Sequence, residues 1–397
     1  MTTKRRDNKN RILRTGESQR TDGRYAYKYT DTFGKPQFVY AWKLVPTDKT
    51  PAGKRDDISL REKEKEIQKD LDDGIDTIGK KMTVCQLYAK QIRHRGNVRQ
   101  NTKNGRKRLM KLLEEDKLGG CPIDSVKLSD AKEWAIRMKE KGLSYKTISN
   151  DKRSLKAAFY TAIQDDCIRK NPFDFQLNTV IEDDTEPKVP LTPVQEESLL
   201  SFVQNDTVYQ KYYDELVILL GTGLRISELC GLTDTDIDFE NRIINVDHQL
   251  LRSAETGYYI ETPKTKSGIR QIPMSERVFE ALKRVQARRR SAKLLVIGGY
   301  SNFLFLNRDG CPKTATNYDG MFRGLARKYN KHHEEALPKV MTPHTLRHTF
   351  CTTMANAGMN PKALQYIMGH SNITMTLNYY AHATFDSAKA EMLRLVA

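Results

Sequence analysis

The chain has 397 residues, too many for one ordinary compact domain, so we expect two or three. Its 67 Lys and Arg outnumber its 50 Asp and Glu and leave a formal charge of +17, which predicts a polyanionic partner without choosing among DNA, RNA and an anionic membrane surface. The N-terminus lacks a signal-peptide core, and no apolar run is long enough to span a bilayer. The 6 cysteines include no C-x-x-C pair, which argues against a zinc ribbon. The pattern is therefore typical of a cytoplasmic protein rather than a secreted or membrane-spanning one.

Residues 1–75 predict a very small domain of two or three strands and a helix, which we take as a three-stranded sheet plus helix. The first 23 residues are polar and are expected to be flexible until bound. Alternating aromatic residues indicate strands at 24–29 and 37–45, and 59–73 has helical composition. Arg24 and Lys28 alternate with tyrosines and are candidate DNA contacts. The alternative is a solvated sheet whose tyrosines form its modest core.

Residues 76–81 read as a linker, and 82–180 as an all-α bundle with apolar residues at helical spacing. Two of its helices carry a basic face opposite the apolar one. The basic residues are Arg99, Lys103, Lys107 and Lys111 on the first helix, and Lys152, Arg153 and Lys156 on the second. Charged faces commonly just face solvent, but here few acidic residues are interspersed, which favours a surface that contacts phosphates.

Residues 181–190 are acidic and contain proline, which predicts a second linker. The remainder, 191–397, mixes helical and strand patterns and predicts an α+β domain with a small antiparallel sheet. Its expected helices lie at 192–204, 209–220, 275–290 and 316–329, and its expected strands at 242–246, 257–262 and 269–274. The predicted fold class is therefore multidomain and mainly α.

Several short motifs in this last domain bring together residues able to act on a phosphate. Glycines precede Arg225 in G-T-G-L-R, which puts the arginine at a helix N-terminus, where anions bind well. The segment T-P-K-T-K-S-G places Lys264 in an exposed turn between two strands. In P-H-T-L-R-H a proline begins a helix whose one face carries both His344 and Arg347. The motifs M-G-H-S-N and Y-Y-A-H then supply His370, Tyr379 and Tyr380.

The order and spacing of these motifs over about 185–397 resemble the tyrosine recombinase (phage-type integrase) family. The layout of small basic sheet, helical module and catalytic domain is similar to the integrases of conjugative transposons and lambda-like phages. The resemblance implies a site-specific recombinase that integrates and excises a mobile element. It also implies that 1–75 binds arm-type repeats, that 82–180 clamps the core site, and that a tetramer forms on synapsed DNA in the bacterial nucleoid. A host DNA-bending protein and an excision factor are possible further partners.

The chemistry explains the residue types. A phenol of pKa about 10 must be assisted to attack a phosphodiester, and the developing phosphorane needs cations. Arg225 and Arg347 can fork onto the non-bridging oxygens, and His344 and His370 can exchange protons near neutral pH. The resemblance implies that Lys264 protonates the leaving 5′-oxygen and that Tyr379 forms a 3′-phosphotyrosyl link, with no cofactor and no metal required.

Some assignments stay open. Lys266 is a rival to Lys264. Tyr379 lies nine residues after the G-H histidine, as is common in the family, whereas the Y-x-H pattern of many relatives selects Tyr380. His344 and His348 could bind a metal as H-x-x-x-H, but no acidic ligand lies within the motif. His332 and His333 are expected to be surface residues, and His348 and His382 are expected to be structural hydrogen-bond partners near the site.

Two further alternatives concern function and assembly. A type IB topoisomerase would use similar chemistry, and a DNA-binding regulator could share the fold without catalysis. The tail at 386–395 carries Ala388, Met392 and Leu395 on one helical stripe. This stripe predicts either packing within the chain or, as the resemblance implies, docking on a neighbouring protomer.

Overall fold

A computed structural model describes residues 5–32, 34–76, 79–96, 98–186, 189–263, 265–288, 295–338, 340–380 and 392–393. The chain divides into two compact units, Met1–Glu186 and Pro187–Ala397. Helices dominate, and the strands form small antiparallel sheets, which confirms the predicted multidomain, mainly α fold class. None of the helices in the described ranges has the length and apolar character needed to cross a membrane.

The first unit begins with a three-stranded antiparallel sheet. Its strands are β1 (Glu17–Gln19), β2 (Tyr25–Thr30) and β3 (Pro36–Ala41), in that order across the sheet. Helix α1 (Leu60–Asp72) begins with a capping box in which the Glu62 carboxylate accepts from the Ser59 backbone N–H and hydroxyl. The core beneath the sheet is small, as expected for so few residues: Tyr25, Ala41, Leu44 and Leu60.

The prediction that residues 1–23 are flexible is wrong for the part that the structure describes. Asp7 is buried and accepts hydrogen bonds from Arg11 Nε (2.8 Å) and from Tyr25 Oη (3.0 Å). The Glu17 carboxylate is also buried, at 2.9 Å from Arg61 Nε. The polar side chains of this segment are therefore satisfied by partners from distant positions, which polar composition alone cannot show.

The segment predicted as the first linker is held at both of its described ends. Asp76 donates its backbone N–H to the Asp166 carbonyl (2.8 Å). Residues 79–81 form one 3-10 turn, and Lys80 forms an ion pair with Asp70 in the last turns of α1.

The rest of the first unit is the helical module: α2 (Val84–His94), α3 (Gln100–Glu114), α4 (Leu128–Glu140) and α5 (Tyr145–Gln164). Trp134 of α4 and Phe159 of α5 are fully buried, and both rings contact Phe173. The apolar residues that recur at helical spacing therefore face the core, and the charged faces of α3 and α5 lie on the outside.

The second unit is built around one apolar helix, α7 (Tyr213–Thr222), which is buried on nearly all sides. The other helices are α6 (Pro193–Asn205), α8 (Ile226–Gly231), α9 (Glu276–Ala287), α10 (Ala315–His332), α11 (Pro343–Asn356), α12 (Pro361–Met368) and α13 (Thr374–Leu377). A helix that is hydrophobic all round belongs in a core, and α7 packs against α9 and α11. This packing places the C-terminal end of α7 beside α11.

The strands of the second unit form two sheets, where the sequence predicted one. The first sheet has the order β4 (Ile237–Asp238), β5 (Ile243–Val246) and β8 (Arg270–Pro273), and the second is the hairpin of β6 (Gln249–Ser253) and β7 (Gly257–Glu261). Strands β4 and β6 were not predicted, because β4 has two residues and β6 is short with a weak alternation of burial. The turn after β7 therefore connects two separate sheets.

Candidate active site

A glycine in the left-handed backbone conformation forms the first part of the site. Helix α7 ends at Gly223, whose φ is 63°, and a Cβ there would lie 2.5 Å from Phe350 Cδ1 of α11. Glycine therefore satisfies both the backbone conformation and the close approach of α11. Two residues later, Arg225 is the N-cap of α8, at the helix start predicted from the sequence.

Arg225 lies in a hydrogen-bonded network with a buried carboxylate. Its Nη1 is 2.6 Å from Glu228 Oε1 and its Nη2 donates to the Gly369 carbonyl at 3.1 Å. Glu228 is buried and also accepts from Arg270, whose side chain is fully buried. Burial raises the pKa of Glu228, but Arg270 and Arg225 outweigh it and lower that pKa to about 2, so the carboxylate is ionised at neutral pH.

Arg347 is held by backbone carbonyls. It is only 3% exposed, its Nη1 donates to the Gly223 carbonyl at 2.5 Å, and its Nη2 donates to the Met368 carbonyl. Burial and the charge of Arg225 lower the pKa of Arg347 to about 9, so the guanidinium is still protonated at pH 7. A guanidinium has five N–H donors, so those outside these two bonds can contact a phosphate.

The histidines of the site differ in exposure. His344 is exposed on α11, and its ring centroid lies 4.7 Å from that of His348 on the next turn. His370 is buried, with Nδ1 3.0 Å from Thr376 Oγ1. Burial, together with Arg347 and Arg225, lowers the pKa of His370 to about 4. From the sequence, His370 is expected to exchange protons near neutral pH. The lowered pKa instead favours a neutral ring that serves as a hydrogen-bonding group.

The two candidate tyrosines have different partners. Tyr379 Oη lies 2.7 Å from His348 Nδ1, whereas Tyr380 Oη donates to the Met359 carbonyl at 2.5 Å. Burial, with Cys351 adding to it, raises the pKa of Tyr379 to about 12, against an opposing effect of Arg347. The Tyr379 phenol therefore contacts a side chain of α11, His348, whereas the Tyr380 phenol is held on a backbone carbonyl.

The described site contains most of the residues selected from the sequence. Lys264 and His382 lie outside the described residues, as do Ala388 and Leu395 of the tail, while Met392 is exposed. Lys266 is described and is exposed in a 3-10 turn at 266–268.

Glu228 and Arg270 were not among the site residues predicted from the sequence. The spacing R-x-x-E at the start of α8 is that of a capping box, which could have pointed to Glu228. Arg270 begins a strand, and only the folded packing shows that its charge is buried.

The remaining histidines are arranged as follows. His332 is exposed as predicted, and His333 is half-buried. Its ring stacks on Tyr329 with centroids 3.9 Å apart, and its Nδ1 lies 3.1 Å from the Tyr329 carbonyl. His348 is a hydrogen-bond partner, as expected.

Among the described residues, a possible metal-ligand group is Asp236, Asp247 and His248. The His248 ring nitrogens lie 2.6 Å from Asp247 Oδ1 and 2.7 Å from the Gly231 carbonyl. Both nitrogens are therefore occupied by protein partners.

One face of the N-terminal sheet combines exposed aromatic and basic side chains. Strand register puts Lys28 opposite Phe38, and Lys28 Nζ lies 6.0 Å from the Phe38 ring centroid. The Arg24 guanidinium lies 5.4 Å from the Tyr40 ring and pairs with Asp22. Phe38 and Tyr40 are exposed, while Tyr25 on the opposite face is buried in the core. We call Arg24, Lys28, Phe38, Tyr40 and Trp42 the aromatic face.

The basic residues of the helical module fall into two groups. On α3, Lys103 and Lys107 are exposed and line a groove of about 450 Å³, and Arg99 is the N-cap. On α5, Lys152 Nζ lies 4.4 Å from the Phe175 ring and donates to the Phe175 carbonyl, and Lys156 forms a 2.6 Å ion pair with Asp174. Arg153 is exposed. All of these residues were predicted to contact DNA, whereas Lys152 and Lys156 already have partners within the module.

Comparisons with known proteins show the family to which the chain belongs. The family model described as the phage integrase family matches residues 190–387, and the one described as the DNA binding domain of tn916 integrase matches residues 1–71. The transposases from transposon Tn916 of Enterococcus faecalis and from transposon Tn1545 of Streptococcus pneumoniae are each 68% identical over 395 residues, covering 100% of this chain and 97% of theirs.

A solved structure of the Tn1549 transposon integrase (residues 82–397, R225K) in complex with a circular intermediate DNA is 76% identical, with a TM-score of 0.76. The match covers 79% of this chain and 99% of that one. The chain belongs to the phage integrase family. It is a site-specific tyrosine recombinase with DNA as its partner, and the predicted family, enzyme class and function are confirmed.

Proposed function

We propose that this recombinase moves a conjugative transposon by cutting and rejoining DNA through Tyr379. The observation that carries the choice of nucleophile is the position of its phenol, 2.7 Å from His348 Nδ1 on the helix that also carries Arg347. Tyr380 is bound to a backbone carbonyl instead. Similarity to the Tn916 and Tn1545 transposases over the full chain supports the mobile-element role, and a Tn1549 integrase structure with a Y379F substitution in complex with transposon right end DNA supports the choice of Tyr379.

The arginines bind the scissile phosphate. The Arg225 side chain is 37% exposed at the N-terminus of α8 and can reach a non-bridging oxygen from the open side. Arg347 approaches from the buried side, with its orientation fixed by two carbonyls. Because both cations are held before DNA binds, they stabilise the phosphorane without reorganising at the moment of reaction. His370 adds a neutral hydrogen-bonding group, and His344 lies exposed on the same helix as Arg347.

The proton of the nucleophile passes to a histidine. The phenol keeps its proton at neutral pH, because the pKa of Tyr379 is raised to about 12 by burial. A base must therefore remove it during attack, and His348 Nδ1 is within hydrogen-bond reach. The Tyr379 oxygen then forms a bond to phosphorus as the 5′-oxygen departs, and Lys264 protonates that oxygen. A 5′-hydroxyl of the partner strand later reverses these steps, so the ester is exchanged rather than hydrolysed.

The domains divide the DNA between them. Residues 1–75 bind arm-type sites through the aromatic face, and 82–180 clamp the core site with the basic residues of α3. Linkers at 76–81 and 181–190 join them to the catalytic domain at 191–397. Four protomers act on two synapsed sites in the bacterial nucleoid, with the tail at 386–395 docked on a neighbour. An excision factor and a host DNA-bending protein assist.

A nicked suicide substrate tests this proposal, because the cut strand diffuses away and the covalent adduct accumulates. We expect the wild-type protein and Tyr380→Phe to form a protein–DNA adduct without added metal, and Tyr379→Phe to form none. Adduct formation by Tyr379→Phe would refute the choice of nucleophile. Failure of the wild type to form any adduct would favour a DNA-binding regulator.

A second assay separates recombination from relaxation. Two DNA molecules with matched core sites are incubated with the protein, and supercoiled DNA without such sites serves as the control. We expect recombinant products only from the matched pair. Relaxation of the control plasmid without recombinants would favour a type IB topoisomerase activity.

A further inference from the structure

Arg270 is a buried charge that the reaction as described above does not use. Its side chain is fully buried, at the first position of β8, beside the turn that connects the two sheets. A buried guanidinium is costly unless its donors are satisfied, so its partners indicate what it holds in place.

The Arg270 donors connect three segments of the active site. Nη2 lies 2.8 Å and Nη1 3.2 Å from the two carboxylate oxygens of Glu228 on α8. Nη1 also donates to the Gly268 carbonyl at 3.0 Å, at the end of the turn before β8. Nε donates to the Ile367 carbonyl at 2.5 Å, on the last turn of α12.

The chain closes tightly over this guanidinium. Gly369 has a φ of 60°, and a Cβ there would lie 3.1 Å from Arg270 Nη1. The carbonyl of the same glycine accepts from Arg225 Nη2, and the next residue is His370. Arg270 and Arg225 therefore contact the same short segment and the same carboxylate, Glu228.

The charges of the network explain why two arginines share one carboxylate. If Arg225 were the sole ion-pair partner of Glu228, the carboxylate would bind the Arg225 guanidinium strongly. That ion pair would hold the guanidinium away from a phosphate. With Arg270 forked onto both oxygens, the Arg225 side chain makes one bond to Glu228, at 2.6 Å, beside the 2.9 Å bond from its backbone N–H. The guanidinium donors outside this bond and the bond to the Gly369 carbonyl can then contact a phosphate.

We propose that Arg270 is a positioning residue for strand cleavage: it neutralises Glu228 and thereby frees Arg225 to bind the scissile phosphate. The proposal rests on the proposed function, because it concerns the rate of that same cleavage step. Arg270 itself does not touch DNA.

Single-turnover cleavage of the suicide substrate tests this role, with DNA affinity and thermal unfolding measured for each variant. We expect Arg270→Met to slow adduct formation about a hundredfold, because Glu228 then holds Arg225 out of position. DNA affinity should change less than about threefold, since it depends mainly on surface cations. The exposed Arg323→Met on α10 is the matched control and should cleave at the wild-type rate.

The decisive variant removes both charges. In Glu228→Gln/Arg270→Met, no carboxylate competes for Arg225, so we expect cleavage at least tenfold faster than in Arg270→Met alone. If Arg270 served only as scaffolding, the double variant would cleave no faster than the single one, and that result would overturn the proposal.

A conservative variant covers the case in which Arg270→Met folds too poorly to assay. Arg270→Lys keeps the charge but cannot make the forked contact, so we expect an intermediate rate and near-normal unfolding. A rate from Arg270→Lys no faster than that of Arg270→Met would also overturn the proposal, because a cation beside Glu228 should restore part of the cleavage. Adduct formation by the wild type tests the proposed function separately, so the two can fail independently.

Discussion

The two units hold their cations in opposite ways. In the catalytic unit, Arg347 and Arg270 are buried and fixed by backbone carbonyls or by a carboxylate, so their positions are set before DNA arrives. In the first unit, Lys28, Lys103 and Lys107 are exposed on sheet and helix surfaces. Salt hardly screens the interactions of buried cations, which hold a substrate in a fixed geometry. Surface cations contribute DNA affinity, and that affinity falls steeply as the salt concentration rises. Substitutions in the two units should therefore give different experimental signatures.

The largest effect is expected at Arg347. Arg347→Ala removes a phosphate contact and leaves the carbonyls of Gly223 and Met368 without their donor. We expect suicide-substrate cleavage to fall about a thousandfold, as for loss of a preorganised oxyanion donor, and the free energy of unfolding to fall by about 1–3 kcal/mol. Adduct formation and urea unfolding measure the two effects.

A matched surface change sharpens that result. Arg327→Ala removes an exposed arginine from α10 and should leave both cleavage and unfolding unchanged. A loss of activity by Arg347→Ala only at high salt would contradict this difference between buried and surface cations, because a salt-dependent defect indicates a surface contact.

The next effect concerns the proton acceptor. His348→Ala should slow cleavage about a hundredfold at pH 7, within the usual range for loss of a general base. The pKa of Tyr379 is raised to about 12. At any pH below that value, the phenolate fraction grows about tenfold for each unit by which the pH rises. The defect should therefore shrink as the pH rises from 7 to 9. A defect of equal size at every pH would show that His348 only packs against the tyrosine.

Burial of His370 predicts a pH dependence of stability. Its pKa is lowered to about 4 in the folded chain, below the unfolded value of about 6.5. Between these two pH values the unfolded chain binds a proton that the folded chain does not. The contribution of His370 to the free energy of unfolding should therefore be fully present above pH 6.5. It should fall by up to about 3 kcal/mol as the pH is lowered to 4.

The control for this prediction is the difference between two proteins rather than one curve. Other groups also titrate in this range, but they contribute equally to the wild type and to His370→Asn. We expect the stability difference between them to shrink as the pH falls from 6.5 to 4. A difference that stays constant would contradict the low pKa of His370.

The sequence predicted the catalytic unit better than the first unit, for a physical reason. Arg225, His344 and Arg347 belong to local motifs in which a glycine or proline fixes the helix start, so spacing along the chain already places them. Arg270 and Glu228 meet only through the fold, 42 positions apart, and no periodicity reveals such a pair. The division of the strands into two sheets was missed because β4 and β6 are too short and too weakly patterned to be predicted.

In the first unit, charge patterning was a weaker guide. A run of basic residues at helical spacing shows which face they occupy, but not whether an acid from another segment lies opposite. Lys156 meets Asp174, and Glu17 meets Arg61, which lies 44 positions away. Composition also made the first 23 residues look flexible, because it records the charges and omits their partners.

The smallest expected effect tests this difference between exposed and paired lysines in the helical module. Lys103 is exposed on α3, whereas Lys156 is paired with Asp174 at 2.6 Å. Each phosphate contact contributes about 0.9 to the slope of log affinity against log salt. Lys103→Ala should therefore reduce that slope by about 0.9 on core-site DNA, and Lys156→Ala should leave it unchanged. Equal reductions from both variants would mean that DNA displaces Asp174, and that the paired lysines of the first unit bind phosphate as the exposed ones do.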